Sequence, residues 1–199
     1  MDCKLRIMNI LKKVIKGFAY DALYDGIDSV TNTPQSITYE HHEIHSGDHY
    51  ECIDVVDLSI NNVRDIRITT PNTAKWGHFV FALSVESETD IYFHRNVSLD
   101  TIGTATTPLN NNHNSGNTSD VALDIIDNTS VALANEDTDL SGGTEILHYI
   151  AGAGKDAGET DRNREFILLQ DTVYNIRLIA NSAGFVNYVS QWYEHTNKN

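Results

Sequence analysis

Trp76-Gly-His-Phe-Val-Phe-Ala-Leu-Ser-Val85 is the stretch that decides the fold class of this 199-residue chain. Phe79, Phe81, Leu83 and Val85 alternate there with His78, Val80, Ala82 and Ser84. A period of two places the first set on one face of an extended strand, and a face that apolar belongs against a core. Val173–Ala180 repeats the pattern: Tyr174, Ile176, Leu178 and Ala180 alternate with Val173, Asn175, Arg177 and Ile179. Working outward from these two segments, strands are expected at 36–45, 49–58, 64–70, 76–85, 89–94, 119–126, 129–134, 144–151, 165–170, 173–180 and 185–194. Gly, Asn, Asp and Ser separate them, and no helical period intervenes. Short strands spaced in this way predict an all-β protein, an antiparallel β-sandwich of jelly-roll type.

Upstream the period changes. Ile7, Leu11, Val14, Ile15, Phe18, Ala22 and Leu23 recur three and four residues apart with lysines between them, which predicts an N-terminal amphipathic helix over 4–24. Asp25-Gly26 and Asn32-Thr-Pro34 are turn chemistry. The expected organisation is therefore a basic helical arm and linker over 1–34, followed by a β-sandwich domain over 35–199.

Charge divides along the same line. Five of the 14 Lys and Arg residues fall within the first 16 positions against a single acid, a net of +4. The remainder holds nine cationic and 27 acidic side chains, a net of −18. A body this acidic is a poor partner for nucleic acid, which needs a dense cationic face. Lys12, Lys13 and Lys16 interrupt the apolar run of the arm, so neither a signal peptide nor a membrane span is expected, and the reading is synthesis in a cytosol. Cys3 and Cys52 do not make a disulfide framework. The apolar face of the arm (Ile7, Leu11, Ile15, Phe18) is the candidate anchoring surface, and its charge suits the acidic body of a neighbouring copy.

The densest cluster of chemistry-bearing side chains is Tyr39-Glu-His-His-Glu-Ile-His-Ser-Gly-Asp-His49. On the expected strand His41, Glu43 and His45 share a face, a donor set that zinc or non-haem iron accepts. The competing reading takes His41, His42 and His45 as ordinary hydrogen-bonding residues of a strand at a subunit boundary. It is preferred because no second metal motif follows. Gly152-Ala-Gly-Lys155 lacks the hydroxyl residue of a phosphate loop, and no nucleophile elbow is present. The acids Asp124, Asp127, Glu136, Asp137 and Asp139 do not have calcium-loop spacing. No catalytic, metal or cofactor residue is therefore assigned. Residues 107–119 hold five asparagines and no formally charged residue, which predicts a loop ordered by its own side chains, whereas glycine-rich 152–164 reads as mobile and exposed.

Four phrases carry a resemblance. They are Ile37-Thr-Tyr-Glu-His-His-Glu-Ile-His-Ser-Gly-Asp-His-Tyr50, Ile68-Thr-Thr-Pro-Asn-Thr-Ala-Lys-Trp-Gly-His-Phe79, Thr107-Pro-Leu-Asn-Asn-Asn-His-Asn-Ser115 and Asn187-Tyr-Val-Ser-Gln-Trp-Tyr-Glu-His-Thr196. Over about residues 36–196 the chain resembles the head decoration (cement) proteins of tailed bacteriophages. The resemblance implies a virion protein on the outer surface of the capsid, often a homotrimer, whose partner is the major capsid protein and which carries no catalytic residues. The arm lies outside the matched region. Two other readings stand on the residues: a fibre-tip or adhesin-like module binding glycans through the Asn-rich loop and nearby aromatics, and a metal-dependent cupin-like enzyme using His41, Glu43 and His45.

Overall fold

A computed structural model describes residues 39–100, 103–128, 140–159 and 165–196. The chain divides into two compact units, Met1–His41 and His42–Asn199. The arm residues Ile7, Leu11, Ile15 and Phe18 and the expected strand 129–134 lie outside the described residues.

The described chain opens with a helix, α1 (Tyr39–Ser46), and continues in strands. These are β1 (His49–Leu58), β2 (Val63–Thr69), β3 (Lys75–Val85), β4 (Thr89–Arg95), β5 (Ser98–Leu99), β6 (Thr104–Thr106) and β7 (Leu109–Asn110). Then follow β8 (Ala122–Asn128), β9 (Leu140–Ser141), β10 (Thr144–Ala151), β11 (Lys155–Glu159), β12 (Phe166–Ile167), β13 (Val173–Ala180) and β14 (Gly184–Thr196). The first sheet has the order β11-β3-β14-β1-β7, with β12 also on β3, and the second has the order β10-β4-β13-β2-β8-β6. β5 and β9 form a separate ribbon.

The eight principal strands follow one rule. β1, β2, β3 and β4 pair antiparallel with β14, β13, β11 and β10 respectively, so the first half of the chain is matched in reverse order by the second. β14 also joins β3, and β13 also joins β4. A long hairpin rolled so that consecutive strands change sheets is the jelly roll. The antiparallel sandwich expected from the alternating pattern is thus the architecture found.

The alternation also delivers the core. Phe79, Phe81, Leu83 and Val85 from β3 and Tyr174, Ile176, Leu178 and Ala180 from β13 are all buried. They meet Tyr50, Ile66, Ile91, Phe93, Tyr188 and Trp192 between the sheets. Phe93 is the hub, edge-on to Phe81 at 5.5 Å and to Phe166 at 5.0 Å, and stacked with Tyr174 at 5.7 Å. Each such side chain contributes about 1.5–3 kcal/mol by leaving water. The free thiol of Cys52 sits in this layer, and burial pushes its pKa up to about 11.

Two expectations are corrected. Residues 36–45 were expected as a strand, but Tyr39–Ser46 is helical. Only Ile44 is β-branched there, and Gly47 supplies a helix stop. The Gly47 N–H bonds Ile44 O at 3.1 Å and the Asp48 N–H bonds Glu43 O at 3.0 Å, the paired bonds of a Schellman cap. The glycine-rich loop expected over 152–164 is in part a strand, because Lys155–Glu159 pairs along β3 from Val85 to Phe81 at the sheet edge, while 160–164 lie outside the described residues.

The Asn-rich loop is ordered by its own side chains, as expected. Asn110 Nδ2 donates to Gly47 O at 2.8 Å and to Asn117 O at 3.1 Å, and Asn112 Nδ2 donates to His45 O at 3.0 Å. The chain beyond it is held by Glu194, 1 % exposed, which accepts from Ser119 Oγ (2.5 Å), Trp192 Nε1 (3.1 Å) and the N–H groups of Asp120 and Val121.

Gly47 joins the cap to this loop. Its φ is +81°, and a Cβ there would lie 2.3 Å from Ser115 Oγ. Gly47→Ala is expected to cost about 2 kcal/mol, read as a lower urea midpoint at unchanged slope.

Candidate functional site

The outer face of the second sheet carries a polar concavity, and the strand register builds it. Arg177 on β13 lies opposite Asp65 on β2 and Tyr92 on β4, while Asn175 lies opposite His94. Because core residues occupy the alternate positions, these side chains all point away from the core.

Asp65 is fully buried. Its two carboxylate oxygens accept from Arg177 Nε and Nη2 at 2.8 and 2.7 Å, and Asn175 Nδ2 donates to Oδ1 at 2.6 Å. A bidentate guanidinium–carboxylate pair with a further donor is the arrangement in which a buried charge is tolerated.

Around this pair lies a cavity of about 360 Å³ whose wall includes Arg177, His94, Tyr92, Asp90, Glu145 and Asn181. Tyr92 stacks on His148 of β10 with ring centres 4.1 Å apart. Asp90 accepts from Asn181 Nδ2 at 2.9 Å and contacts His148 Nε2 at 3.3 Å. Burial holds the His94 imidazole below its ordinary pKa; Glu145 and Asp65 oppose that shift and Arg177 reinforces it. Tyr92 is pushed up, by burial first and then by Asp90 and Glu145. His94 and Tyr92 are therefore neutral near pH 7, and the pocket's formal charges are those of Asp65, Arg177, Asp90 and Glu145.

The outer face of the first sheet is different. Ile53 and Val55 on β1, Leu109 on β7 and Phe185 on β14 are each more than half exposed, and Val189 sits opposite Ile53. Glu51, Asp57 and Glu86 stand among or beside them. Toward the Trp76 end of that sheet a second polar group forms. His78 Nδ1 contacts Glu165 Oε1 at 2.6 Å, the Nε2 atoms of His78 and His195 are 2.8 Å apart, and the Tyr193 hydroxyl donates to Glu165 at 3.0 Å.

The residues singled out from the sequence are distributed otherwise. His41, His42 and His45 are exposed on α1, but Glu43 is 3 % exposed and bonds His42 Nδ1 (3.2 Å) and Ser46 Oγ (3.4 Å). The helix thus separates Glu43 from the shared face on which a metal reading depended. Among the described residues no group of three or more His, Cys, Asp or Glu is placed to hold a metal ion. Asp124 bonds Arg67 through Nε and Nη2 at 3.0 and 2.6 Å, and Asp127 pairs with Arg64, which also binds Asp54. Glu136, Asp137 and Asp139 lie outside the described residues. The residues that sequence reasoning passed over are Asp65, Asn175 and Arg177. Their signal was polarity in strands whose other face is apolar.

No protein-family model matches the chain, and no curated protein matches it.

Asp65→Ala removes the bidentate carboxylate from the buried Arg177 guanidinium and is expected to cost about 3–5 kcal/mol in urea unfolding, whereas Asp65→Leu combined with Arg177→Met loses far less. The His94 shift gives a pH dependence of definite sign. Its folded value is depressed, so the unfolded chain takes up the proton first, and stability falls as pH drops through the histidine range. His94→Asn is expected to flatten the thermal-unfolding midpoint between pH 7 and pH 5.

Proposed function

We propose that the chain is a structural protein of a tailed-phage virion, a head decoration subunit that binds the outside of the capsid and clamps adjacent major capsid subunits. The observation that carries this reading is the outer face of the first sheet, where Ile53, Val55, Leu109 and Phe185 stand in water on a rigid antiparallel support. An apolar stretch of this kind on an otherwise acidic surface is chemistry suited to a protein partner. Its acidic neighbours Glu51, Asp57 and Glu86 suit a partner whose contact is apolar at the centre and basic at the edge.

The fold supports the reading without deciding it. Viral capsid proteins use jelly rolls, but so do lectins and cupins, and a fold does not fix a function. A clamp needs shape and stiffness more than chemistry, and two sheets locked over an aromatic core provide both. Three copies acting together would turn modest single contacts into firm attachment, because each later contact is intramolecular. In this reading the protein is a homotrimer, made in the host cytosol, that performs no catalysis and binds neither nucleic acid nor membrane. The net of +4 over the first 16 residues suits the acidic body of a neighbouring subunit.

The test pairs solution mass by light scattering with co-sedimentation onto capsid shells that lack the protein. A trimer that pellets with shells and raises their heat resistance is the expected result. Ile53→Asp with Val55→Asp is expected to weaken pelleting by at least about tenfold while leaving the fold intact, because both side chains are exposed. A monomer that ignores shells would overturn the proposal.

A further inference from the structure

From the outer face of the second sheet we infer that the pocket above the Asp65–Arg177 pair is a binding site for a neutral saccharide, one or two sugar rings in size. The inference does not depend on where the protein resides, and it concerns a different place from the Asn-rich loop.

Size comes first. The cavity of about 360 Å³ falls at the lower end of small-molecule sites, too small for a peptide segment and suited to one or two rings. Chemistry narrows the class further. The wall presents carboxylates (Asp90, Glu145), an amide (Asn181), a guanidinium (Arg177), a phenol (Tyr92) and an imidazole (His94). An apolar ligand would leave most of these without partners, at a cost for each group desolvated. A phosphate or sulfate would meet Asp90 and Glu145 against a single guanidinium already neutralised by Asp65. Among the described residues, no three acidic, His or Cys side chains, those of this wall included, are placed to hold a metal ion. A sugar ring carries hydroxyls that donate and accept at neighbouring carbons, and mixed planar groups answer both roles.

Two of those groups are held ready. The Asp90 carboxylate and the Asn181 amide are joined at 2.9 Å, and His148 Nε2 lies 3.3 Å from the other Asp90 oxygen, so their orientation is fixed before a ligand arrives. Each carboxylate oxygen keeps a second lone pair for a hydroxyl. Tyr92, stacked on His148, forms part of the wall. Val63, Leu140 and Ile179 supply the apolar part of the lining, which suits the C–H face of a pyranose ring. Fixed polar groups beside a small apolar floor keep the ordering cost of binding low.

The test is an amide NMR titration of the full chain with glucose, galactose, mannose and N-acetylglucosamine, each to about 20 mM, which exceeds the millimolar affinity expected of a small open site. Lysine methyl ester and inorganic phosphate serve as cationic and anionic controls. The expected result is saturable shifts at Tyr92, His94, Asp90 and Asn181 with at least one sugar, and weaker or no shifts with the two controls. Asn181→Ala and Glu145→Gln, both at exposed positions, are expected to weaken that binding by at least about tenfold while the rest of the spectrum stays native. Asn114→Ala in the Asn-rich loop is expected to leave it unchanged. Four outcomes would overturn the inference: no shift with any sugar, shifts confined to the Asn-rich loop, binding indifferent to both pocket variants, or tighter binding of either control.

Discussion

Closure of the two sheets over one aromatic layer is the constraint on which the rest of the structure depends. Phe79, Phe81, Phe93 and Tyr174 come from β3, β4 and β13, and their rings interlock between the sheets. With that face committed, strict alternation leaves every second residue of the same strands to solvent. A one-residue slip would send the whole aromatic set into water, so the register is held by the core rather than by the turns. The same register sets Arg177 opposite both Asp65 and Tyr92, so the polar pocket is a consequence of how the core closes.

Charges sit where this geometry can satisfy them. Arg64 lies on the side of β2 that faces the first sheet, and it draws Asp54 of β1 and Asp127 of β8 together. Glu194 performs a comparable task at one end of the sandwich, gathering the N–H groups of Asp120 and Val121, the Ser119 hydroxyl and the Trp192 indole. Its neighbourhood is acidic enough that burial, followed by Glu194, Asp48 and Asp120, pushes the Tyr50 phenol well above its ordinary range. Such groups contribute little net free energy as pairs, but each is costly to break, and this makes a particular closure of the sheets the favoured one.

The fold was legible from the sequence because its main signal is local. The expected strands 49–58, 144–151 and 173–180 coincide with β1, β10 and β13, and Phe79, Phe81, Leu83 and Val85 lie in the core as their spacing implied. What escaped has a physical reason in each case. Lys155–Glu159 forms an edge strand through its backbone bonds to β3, so its sequence needed no apolar alternation. His41, Glu43 and His45 alternate in sequence, but this is an alternation of polar groups with no burial to enforce a strand, and the Gly47 cap selects a helix. The pocket was invisible for a third reason. Asp65, Tyr92 and Arg177 are far apart in sequence and meet only through pairings whose partners no local pattern names, and polar residues on an outer face read simply as solvated.

Among the described residues, the outer faces of the two sheets are two places where this fold is free to carry chemistry, and the sequence has used them differently. The first sheet keeps Ile53, Val55, Leu109 and Phe185 in water, where each would gain by being covered. The second sheet spends the same alternate positions on Asp65, Asn175 and Arg177, a buried polar set with no benefit to the core it backs. Stability alone would favour solvated residues on the first face and a simpler hydrophobic or solvated surface on the second. Because the sandwich separates the faces by the thickness of its core, substitutions on one leave the other's geometry nearly untouched. The two binding roles proposed for the opposite faces, a large partner on one and a small polar ligand on the other, make a division of labour that this topology permits without any moving part.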